Sequence, residues 1–264
     1  MSIFALNEPS STKIASALYQ GIPLSKIFKT NYSLSTYNFF TSLNTELYEL
    51  WETRDASSLF FHVDKSYFAR DRFYRINLNS MQGNLEFPPN YERLRFAGVR
   101  ARKRRKGTKI LLCPQSSRYF ELIGLTKESW ISQVTAELRK YTDRPIIVHE
   151  KAKGSLKIGY SEKMFFKALG QNIYATVVHS SMAGIQSSLF GVPCLVTDKH
   201  SVVRHFGDTD FSIIEDIALG DNREFLAAKL ANNQWTLHEI QHGVAWQAIR
   251  KHLLGFFDSI QNEF

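Results

Sequence analysis

The sequence predicts an α/β protein whose second half is built around a parallel sheet. After residue 107, short apolar runs alternate with amphipathic stretches, and the alternation occurs four times. Such a pattern is typical of parallel strands joined by helices that cover both faces of a sheet. An apolar content of 44% over 264 residues is sufficient for a sizeable core. We therefore expect a first domain at residues 1–96, a basic linker at 97–107 and a second domain at 108–264.

The first half opens with a strand, a polar turn and a helix. An apolar strand is predicted at residues 2–6. The helix at 12–20 has Ser10 or Ser11 as its candidate N-cap and stops at Gly21. Apolar spacing predicts the other elements of this half, which are a helix at 43–51 and strands at 59–63 and 73–78.

The second half contains the regular alternation of strands and helices. Its predicted strands lie at residues 109–113, 145–149, 174–178 and 193–197. Its predicted helices lie at 127–141, 162–169, 182–190, 222–231 and 237–257, the last being one long helix.

The formal net charge of +8 is concentrated in one part of the chain. Residues 93–106, called the basic segment below, contain eight Lys and Arg residues and no acid. Such a segment favours contact with phosphate, nucleic acid or another anionic surface, but it also suits a solvated linker. Both interpretations stay open. The candidate nucleic-acid contacts are Arg100, Arg102, Lys103, Arg104, Arg105 and Lys106.

The cysteines and the apolar runs bear on the compartment. Cys113 and Cys194 each lie next to a proline at the end of an apolar run, which predicts buried, reduced thiols and no disulfide framework. The first residues do not resemble a signal peptide, and no run approaches the roughly 18 apolar residues of a membrane span. We therefore expect a cytoplasmic protein without integral membrane association.

Polar residues follow one buried strand of the second half and open a helix. His179, Ser180, Ser181 and Met182 come directly after the strand at 174–178. Ligands of a parallel sheet bind outside the carboxyl ends of its strands, and the N-terminal amides of a helix favour an anion. A phosphate site is therefore a candidate here. An ordinary serine N-cap is the alternative.

A second polar loop follows the strand at 109–113. It contains Ser116, Ser117 and Arg118. Because a guanidinium can bind a diphosphate through paired hydrogen bonds, Arg118 is a candidate ligand for an anionic group. The alternative is a surface arginine, but two such loops at one sheet edge strengthen the phosphate interpretation.

The run VVHSSMAGIQSSLFGVPCLVTD at residues 177–198 resembles the donor-site segment of GT-B-type glycosyltransferases. The resemblance implies a GT-B-like fold of two Rossmann-type halves, the first of them reduced. It also implies transfer of a sugar from a nucleotide sugar to an acceptor hydroxyl. Further blocks are similar to segments of poorly characterised phage and bacterial glycosyltransferase-like proteins: FFHVDKSYFARDRFYRINLNSMQ, ILLCPQSSRYFELIGLTKESWISQV, YTDRPIIVHEKAK and NNQWTLHEIQHGVAWQAI.

The resemblance implies roles for particular residues. Residues 179–182 would lie at the donor diphosphate, which Arg118 would help to neutralise. Gln186 stands where the family often has a glutamate that contacts the donor ribose, so the identity of the nucleotide is left open. The nucleotide sugar would be a co-substrate, with no further cofactor. The sequence has no evident DXD-like motif, so a metal ion is not implied.

A general base would come from the first half of the chain. Asp64 is the first candidate, because it follows a predicted strand in a segment dense in polar and aromatic groups, and His62 and Glu8 are the alternatives. Asp64 could instead form a structural ion pair with Lys65 or Arg70.

The acceptor is open between two chemical classes. One is a modified base in phage DNA, held through the basic segment, and the protein would then act in the bacterial host cytoplasm. The other is a glycan or lipopolysaccharide. Two non-catalytic interpretations also stand: a nucleic-acid-binding protein that uses the basic segment with Tyr91 and Phe96, and a degenerate transferase that serves as an interaction module.

Overall fold

The chain folds into two compact units. The computed structural model describes residues 1–6, 9–29, 37–41, 44–53, 58–81, 83, 87–149 and 160–261. The first unit contains residues 1–87 and 233–264, and the second contains residues 88–232. The chain therefore returns to the first unit near its C-terminus, whereas the sequence predicted one crossing through a linker at 97–107.

The strands and helices have the following bounds. The strands are β1 (Ser2–Phe4), β2 (Lys26–Phe28), β3 (Tyr37–Phe40), β4 (Leu59–Lys65), β5 (Phe73–Leu78), β6 (Lys109–Cys113), β7 (Ile146–Val148), β8 (Ile173–Val178), β9 (Cys194–Val196) and β10 (Gln234–Thr236). The helices are α1 (Pro9–Gly21), α2 (Thr45–Glu52), α3 (Tyr91–Phe96), α4 (Ser117–Leu122), α5 (Lys127–Leu138), α6 (Tyr160–Leu169), α7 (Ala183–Phe190), α8 (Arg223–Asn232), α9 (Leu237–Gln241) and α10 (Val244–Gln261).

The first unit is built on a mixed sheet with the strand order β10-β5-β4-β3-β1-β2. Strands β1 to β4 are parallel to one another. Strand β5 is antiparallel to β4, and β10 is antiparallel to β5. Successive side chains of a strand point to opposite faces. Phe39 and Phe61 stack on the face covered by α1, α9 and α10. Phe40 and Phe60 stack on the face covered by α2. Because β10 pairs with β5, the last part of the chain belongs to this unit.

Two predicted helix boundaries of the first unit are wrong. Helix α1 begins at Pro9, so Ser10 and Ser11 lie inside its first turn and are not its N-cap. Proline is favoured at this position, since its missing N–H has no partner there in any case. The predicted helix at 237–257 is broken between α9 and α10, where Gly243 adopts a φ of 75°. A Cβ atom on Gly21 would lie 1.9 Å from the Ile240 carbonyl oxygen, so α1 packs against α9 at a contact that only glycine allows.

The second unit contains the parallel sheet that the sequence predicted, in the order β7-β6-β8-β9. Helix α5 connects β6 to β7, α6 connects β7 to β8, and α7 connects β8 to β9. Every residue of β8 is buried, as expected for a strand covered on both faces. The predicted fold class, α/β with a parallel sheet in the second half, is confirmed.

Two further expectations from the sequence are met. Cys113 and Cys194 are buried free thiols, and burial raises the pKa of Cys194 to about 12. Among the described residues, no helix combines the length and the apolar composition needed to cross a membrane.

Candidate functional site

Three polar segments lie together at the carboxyl edge of the second sheet. Strands β6, β8 and β9 are parallel neighbours, so the segments that follow them leave the sheet at one edge. Two side-chain hydrogen bonds connect these segments: Gln115 Nε2 donates to Ser180 Oγ over 2.9 Å, and His179 Nδ1 lies 2.8 Å from Thr197 Oγ1. Residues far apart in the sequence are therefore joined at this edge, which we call the carboxyl edge below.

The hydroxyl of Ser180 is used inside the protein. Ser180 is fully buried, and its Oγ accepts the bond from Gln115 and donates to the Tyr119 hydroxyl over 3.3 Å. Ser181 and Met182 are also buried. Ser180 therefore ties the loop after β6 to the loop after β8.

Helix α7 begins without a side-chain cap. Its N-cap residue is Met182, and the Met182 side chain makes no capping hydrogen bond to the first amides of the helix. The nearest equivalent is a long contact of 3.4 Å from Ala183 N to Ser181 Oγ. The small residue Gly184 faces the sheet, since a Cβ atom there would lie 2.5 Å from the Val203 side chain and 2.9 Å from Cys194 Sγ. Gly184 therefore serves helix packing, and Gln186 is the half-buried polar residue of this helix.

The predicted arginine lies in the first turn of α4. Ser116 is the N-cap of this helix, and its side chain accepts a hydrogen bond from Tyr119 N. Ser116, Ser117 and Arg118 are all exposed. Arg118 is therefore a cation that a ligand at the carboxyl edge can reach, because the next residue, Tyr119, contacts Ser180.

His179 is a half-buried ionisable group of this edge. Its ring lies 5.8 Å from the ring of Phe120 and 6.1 Å from that of Tyr119, measured between centroids. Burial lowers the pKa of His179 and outweighs the opposite effect of Asp198. The imidazole is therefore uncharged at neutral pH, and it can take part in hydrogen bonds without adding positive charge.

The basic segment lies at the opposite edge of the second sheet. Arg102 N donates to Leu189 O and Arg105 N donates to Gly191 O, each over 2.8 Å, at the end of α7 where the chain enters β9. The guanidinium carbons of Arg102 and Arg105 lie 4.5 and 4.7 Å from the centre of the Phe190 ring. The backbone of the basic segment is therefore held at these two residues by the C-terminal end of α7, a helix terminus that cations stabilise.

The candidate nucleic-acid contacts in the basic segment have exposed side chains. All six are exposed, namely Arg100, Arg102, Lys103, Arg104, Arg105 and Lys106. The strands between the two edges contain about five residues, so roughly 15 Å separates the basic segment from the carboxyl edge. The candidate phosphate ligands and the basic segment are therefore two separate features of this unit.

Asp64 lies within β4 and forms a cross-strand ion pair. Its register partner on β5 is Arg75, whose Nη2 donates to Asp64 Oδ2 over 3.2 Å. Asp64 Oδ1 accepts from Lys65 N over 2.7 Å, so both carboxylate oxygens are engaged. Burial acts to raise the pKa of Asp64, but the charges of Arg75, His62 and Arg70 together hold it below its usual value. Asp64 is therefore a weaker base than a free carboxylate. The ion pair of Asp64 is formed with Arg75, and Arg70 and the Lys65 N–H also act on this carboxylate.

His62 lies two residues earlier on β4 and is 9% exposed. Its Nδ1 lies 3.0 Å from the carbonyl oxygen of Met81, and its ring meets that of Trp51 edge to face. Burial lowers the pKa of His62, so the ring is uncharged at neutral pH. Because a carbonyl only accepts, Nδ1 carries the proton and Nε2 carries the lone pair. The third candidate base, Glu8, lies outside the described residues.

Sequence reasoning did not select three residues that build the carboxyl edge. Gln115 binds Ser180, Thr197 binds His179, and Trp130 Nε1 donates to Thr197 Oγ1 over 3.0 Å. Trp130 lies in the predicted helix at 127–141. A buried indole N–H needs an acceptor, and this was the signal that could have linked it to a polar residue at a strand end.

Comparison with known proteins adds distant structural similarity. The chain is similar to the structure of Thermosulfurimonas dismutans KpsC, a beta Kdo 2,7 transferase, with a TM-score of 0.46 and 10% sequence identity. The match covers 94% of this chain and 100% of that chain. No protein-family model and no curated protein sequence matches the chain. The function is therefore inferred below from the residues of this protein.

Proposed function

We propose that the protein is a glycosyltransferase that uses a nucleotide-sugar donor and binds the donor diphosphate at the carboxyl edge of the second sheet. The observation that carries the proposal is the grouping of Arg118, His179 and the start of α7 at this edge. A guanidinium fork, an imidazole and the positive end of a helix all favour a phosphate group. The resemblance of residues 177–198 to donor-site segments points to the same chemistry.

These groups would act on the bond to the sugar. Negative charge develops on the diphosphate as it leaves, and donors held in position stabilise that charge more than they stabilise the bound donor. Arg118 supplies the positive charge in this proposal. Gln186 would hydrogen-bond a hydroxyl of the donor nucleotide through its amide.

His62 would be the general base that accepts the proton of the acceptor hydroxyl. His62 is uncharged at neutral pH, and its Nδ1 bond to Met81 leaves Nε2 with a lone pair. Asp64 fits this role less well, because its ion pair with Arg75 lowers its pKa. Asp64 would instead help to hold the strands around His62.

An experiment can decide whether the acceptor is a glycan or duplex DNA. A DNA acceptor would need cations along its backbone, whereas a glycan acceptor would not. The basic segment lies at the amino edge of the second sheet, away from the proposed diphosphate site, and this placement favours a glycan.

The first test is a thermal-shift screen of the protein against a panel of nucleotide sugars and nucleotides. A ligand that binds only the folded state raises the melting temperature, by an amount that grows with its concentration over its Kd. We expect one nucleotide sugar to raise the melting temperature and to be consumed when glycan acceptors are added. A panel in which no nucleotide or nucleotide sugar binds would overturn the proposal. Consumption with duplex DNA alone would replace the glycan by DNA.

A further inference from the structure

Trp130 engages one lone pair of the Thr197 hydroxyl. The indole N–H can only donate, and Trp130 Nε1 lies 3.0 Å from Thr197 Oγ1. The indole is held by its surroundings, since Trp130 is 3% exposed and its ring lies 5.8 Å from that of Phe120. The backbone of Thr197 is also held, because its N–H donates to the Val178 carbonyl over 2.9 Å. The Thr197 oxygen is therefore an acceptor towards Trp130.

The second bond of this hydroxyl goes to His179. Thr197 Oγ1 lies 2.8 Å from His179 Nδ1, and either atom could supply the proton. If His179 donated, the oxygen would accept twice and the threonine proton would need another acceptor. Within the described ranges, no protein acceptor for that proton is found. If Thr197 donates, one hydroxyl serves both neighbours, and the one remaining polar hydrogen of the three side chains is on His179 Nε2, which takes part in neither of these bonds.

We infer that Trp130 and Thr197 are positioning residues that hold His179 as the tautomer protonated on Nε2. A hydroxyl that accepts from the indole directs its own proton to Nδ1, so Nδ1 accepts. The single proton of the uncharged imidazole is then carried by Nε2.

This tautomer decides what His179 does at the carboxyl edge. An imidazole with a proton on Nε2 is a hydrogen-bond donor there, and Nε2 has no lone pair with which to accept a proton. His179 would therefore donate to a phosphate oxygen and would not act as a general base. This last step rests on the proposed function, whereas the tautomer itself does not depend on any ligand.

Nitrogen NMR of the labelled protein without ligand tests the tautomer directly. Protonated and unprotonated imidazole nitrogens have well-separated chemical shifts, and a His179→Gln variant assigns the signals of this one ring among the eight histidines. We expect Nδ1 of His179 to be unprotonated and Nε2 to be protonated at neutral pH. A protonated Nδ1 would overturn the inference, whatever the protein binds.

Variants of the two positioning residues extend the test. In Thr197→Val the proton donor is lost and the shape is kept, so the Nδ1 signal should move and the two tautomers should mix. In Thr197→Ser the hydroxyl is restored, and the wild-type signals should return. In Trp130→Phe the indole N–H is removed together with one ring of the indole while an aromatic side chain is kept, and a smaller change in the same direction is expected. Unchanged His179 signals in Thr197→Val would also overturn the inference.

Ligand affinity separates this inference from the proposed function. For the nucleotide sugar found in the thermal-shift screen, Thr197→Val should weaken binding by up to about tenfold, and Thr197→Ser should restore it. If no nucleotide sugar binds to the wild type, the proposed function fails while the NMR result still decides the tautomer.

Discussion

The two sheets place their polar side chains differently. In the first unit, polar groups lie within the strands, as His62 and Asp64 do on β4 and Arg75 and Asn77 do on β5. In the second unit, β6 carries apolar side chains after its first residue, and the candidate ligand groups follow the strands. The exposed Arg118 is an example of such a group.

This difference separates polar groups bonded within the first sheet from the candidate ligand groups of the second. The side chain of Asn77 is fully buried, and its Oδ1 accepts from the Tyr67 hydroxyl over 2.9 Å and from Asn233 Nδ2 over 3.1 Å. These bonds connect β5 to the residue before β10 and leave little for a ligand. At the carboxyl edge of the second sheet, Arg118 is instead exposed and His179 is half-buried, whereas Ser180 is fully buried. Within the first sheet, His62 is the proposed exception.

The largest expected effect tests that exception. The His62→Asn variant removes the Nε2 lone pair, while its amide can still donate to the Met81 carbonyl. If His62 is the general base, kcat should fall by about 10²–10⁴-fold, because a positioned base contributes that much. The rate of nucleotide release at saturating donor and acceptor measures the change.

Asp64→Asn is the matched control for His62, since it changes the neighbouring ionisable group on the same strand. We expect it to retain activity within about tenfold, because the ion pair already makes Asp64 a weak base. A greater loss of kcat in Asp64→Asn than in His62→Asn would make Asp64 the base.

The next effect concerns the buried amide of the first unit. Asn77→Ala leaves the Tyr67 hydroxyl and the Asn233 amide without their shared acceptor, so the free energy of unfolding should fall by about 1–3 kcal/mol. Ser117→Ala, at the exposed carboxyl edge of the second sheet, should change it by less than about 0.5 kcal/mol. Urea unfolding of both variants gives the comparison, and equal losses would contradict the division between the sheets.

A smaller effect is expected for Arg118. Arg118→Ala should raise the Kd for the nucleotide sugar about tenfold, because a charged hydrogen bond to phosphate is lost. Its melting temperature without ligand should not change, since the side chain is exposed. Lys163→Ala removes an exposed cation from α6 and is the control for net charge. Equal affinity in Arg118→Ala and the wild type would remove Arg118 from the site.

The smallest effect is the pH dependence of two ion pairs. The pKa values of Asp64 and Glu215 are both below their usual range, the first through Arg75 and the second through hydrogen bonds from Thr142 and Arg144. A carboxylate with a lowered pKa stabilises the fold above its unfolded pKa of about 4, and this contribution is lost as the pH falls through the folded pKa. Both carboxylate side chains are more than 40% exposed, so each contribution should be below about 1 kcal/mol.

Urea unfolding of Asp64→Asn and Glu215→Gln at pH 7 and at pH 3 checks this expectation. Each variant should be less stable than the wild type at pH 7, and the difference should shrink at pH 3. A difference that grows as the pH falls would contradict the assigned direction of the two pKa values.

The second sheet could be predicted because its strands have a recognisable pattern in the sequence. Each predicted strand of that sheet is a compact apolar run between polar stretches, and β6 has the bounds that were predicted. Three strands of the first sheet, β2, β3 and β10, were not predicted. They contain three or four residues each, so pairing with neighbouring strands defines them more than their own composition does.

The candidate site was predicted only in part, because local patterns locate loops but do not show which side chains contact one another. The alternation of strands and helices located the two loops that contain Arg118 and His179, because the ends of parallel strands share an edge. It did not show that Ser180 is fully buried, or that Thr197 joins Trp130 to His179. The partner of Asp64 was also missed, because Arg75 is its neighbour only through the register of β4 and β5.

The sequence by itself determined the α/β class, the parallel sheet of the second unit, the buried cysteines and the position of the two phosphate-binding candidates in the chain. These features follow from local composition and periodicity, which each segment carries on its own. Only the tertiary structure decided that the chain returns to the first unit, that the basic segment lies at the amino edge, and which side chains bind one another. These features depend on contacts between residues far apart in the sequence, and such contacts leave no local pattern.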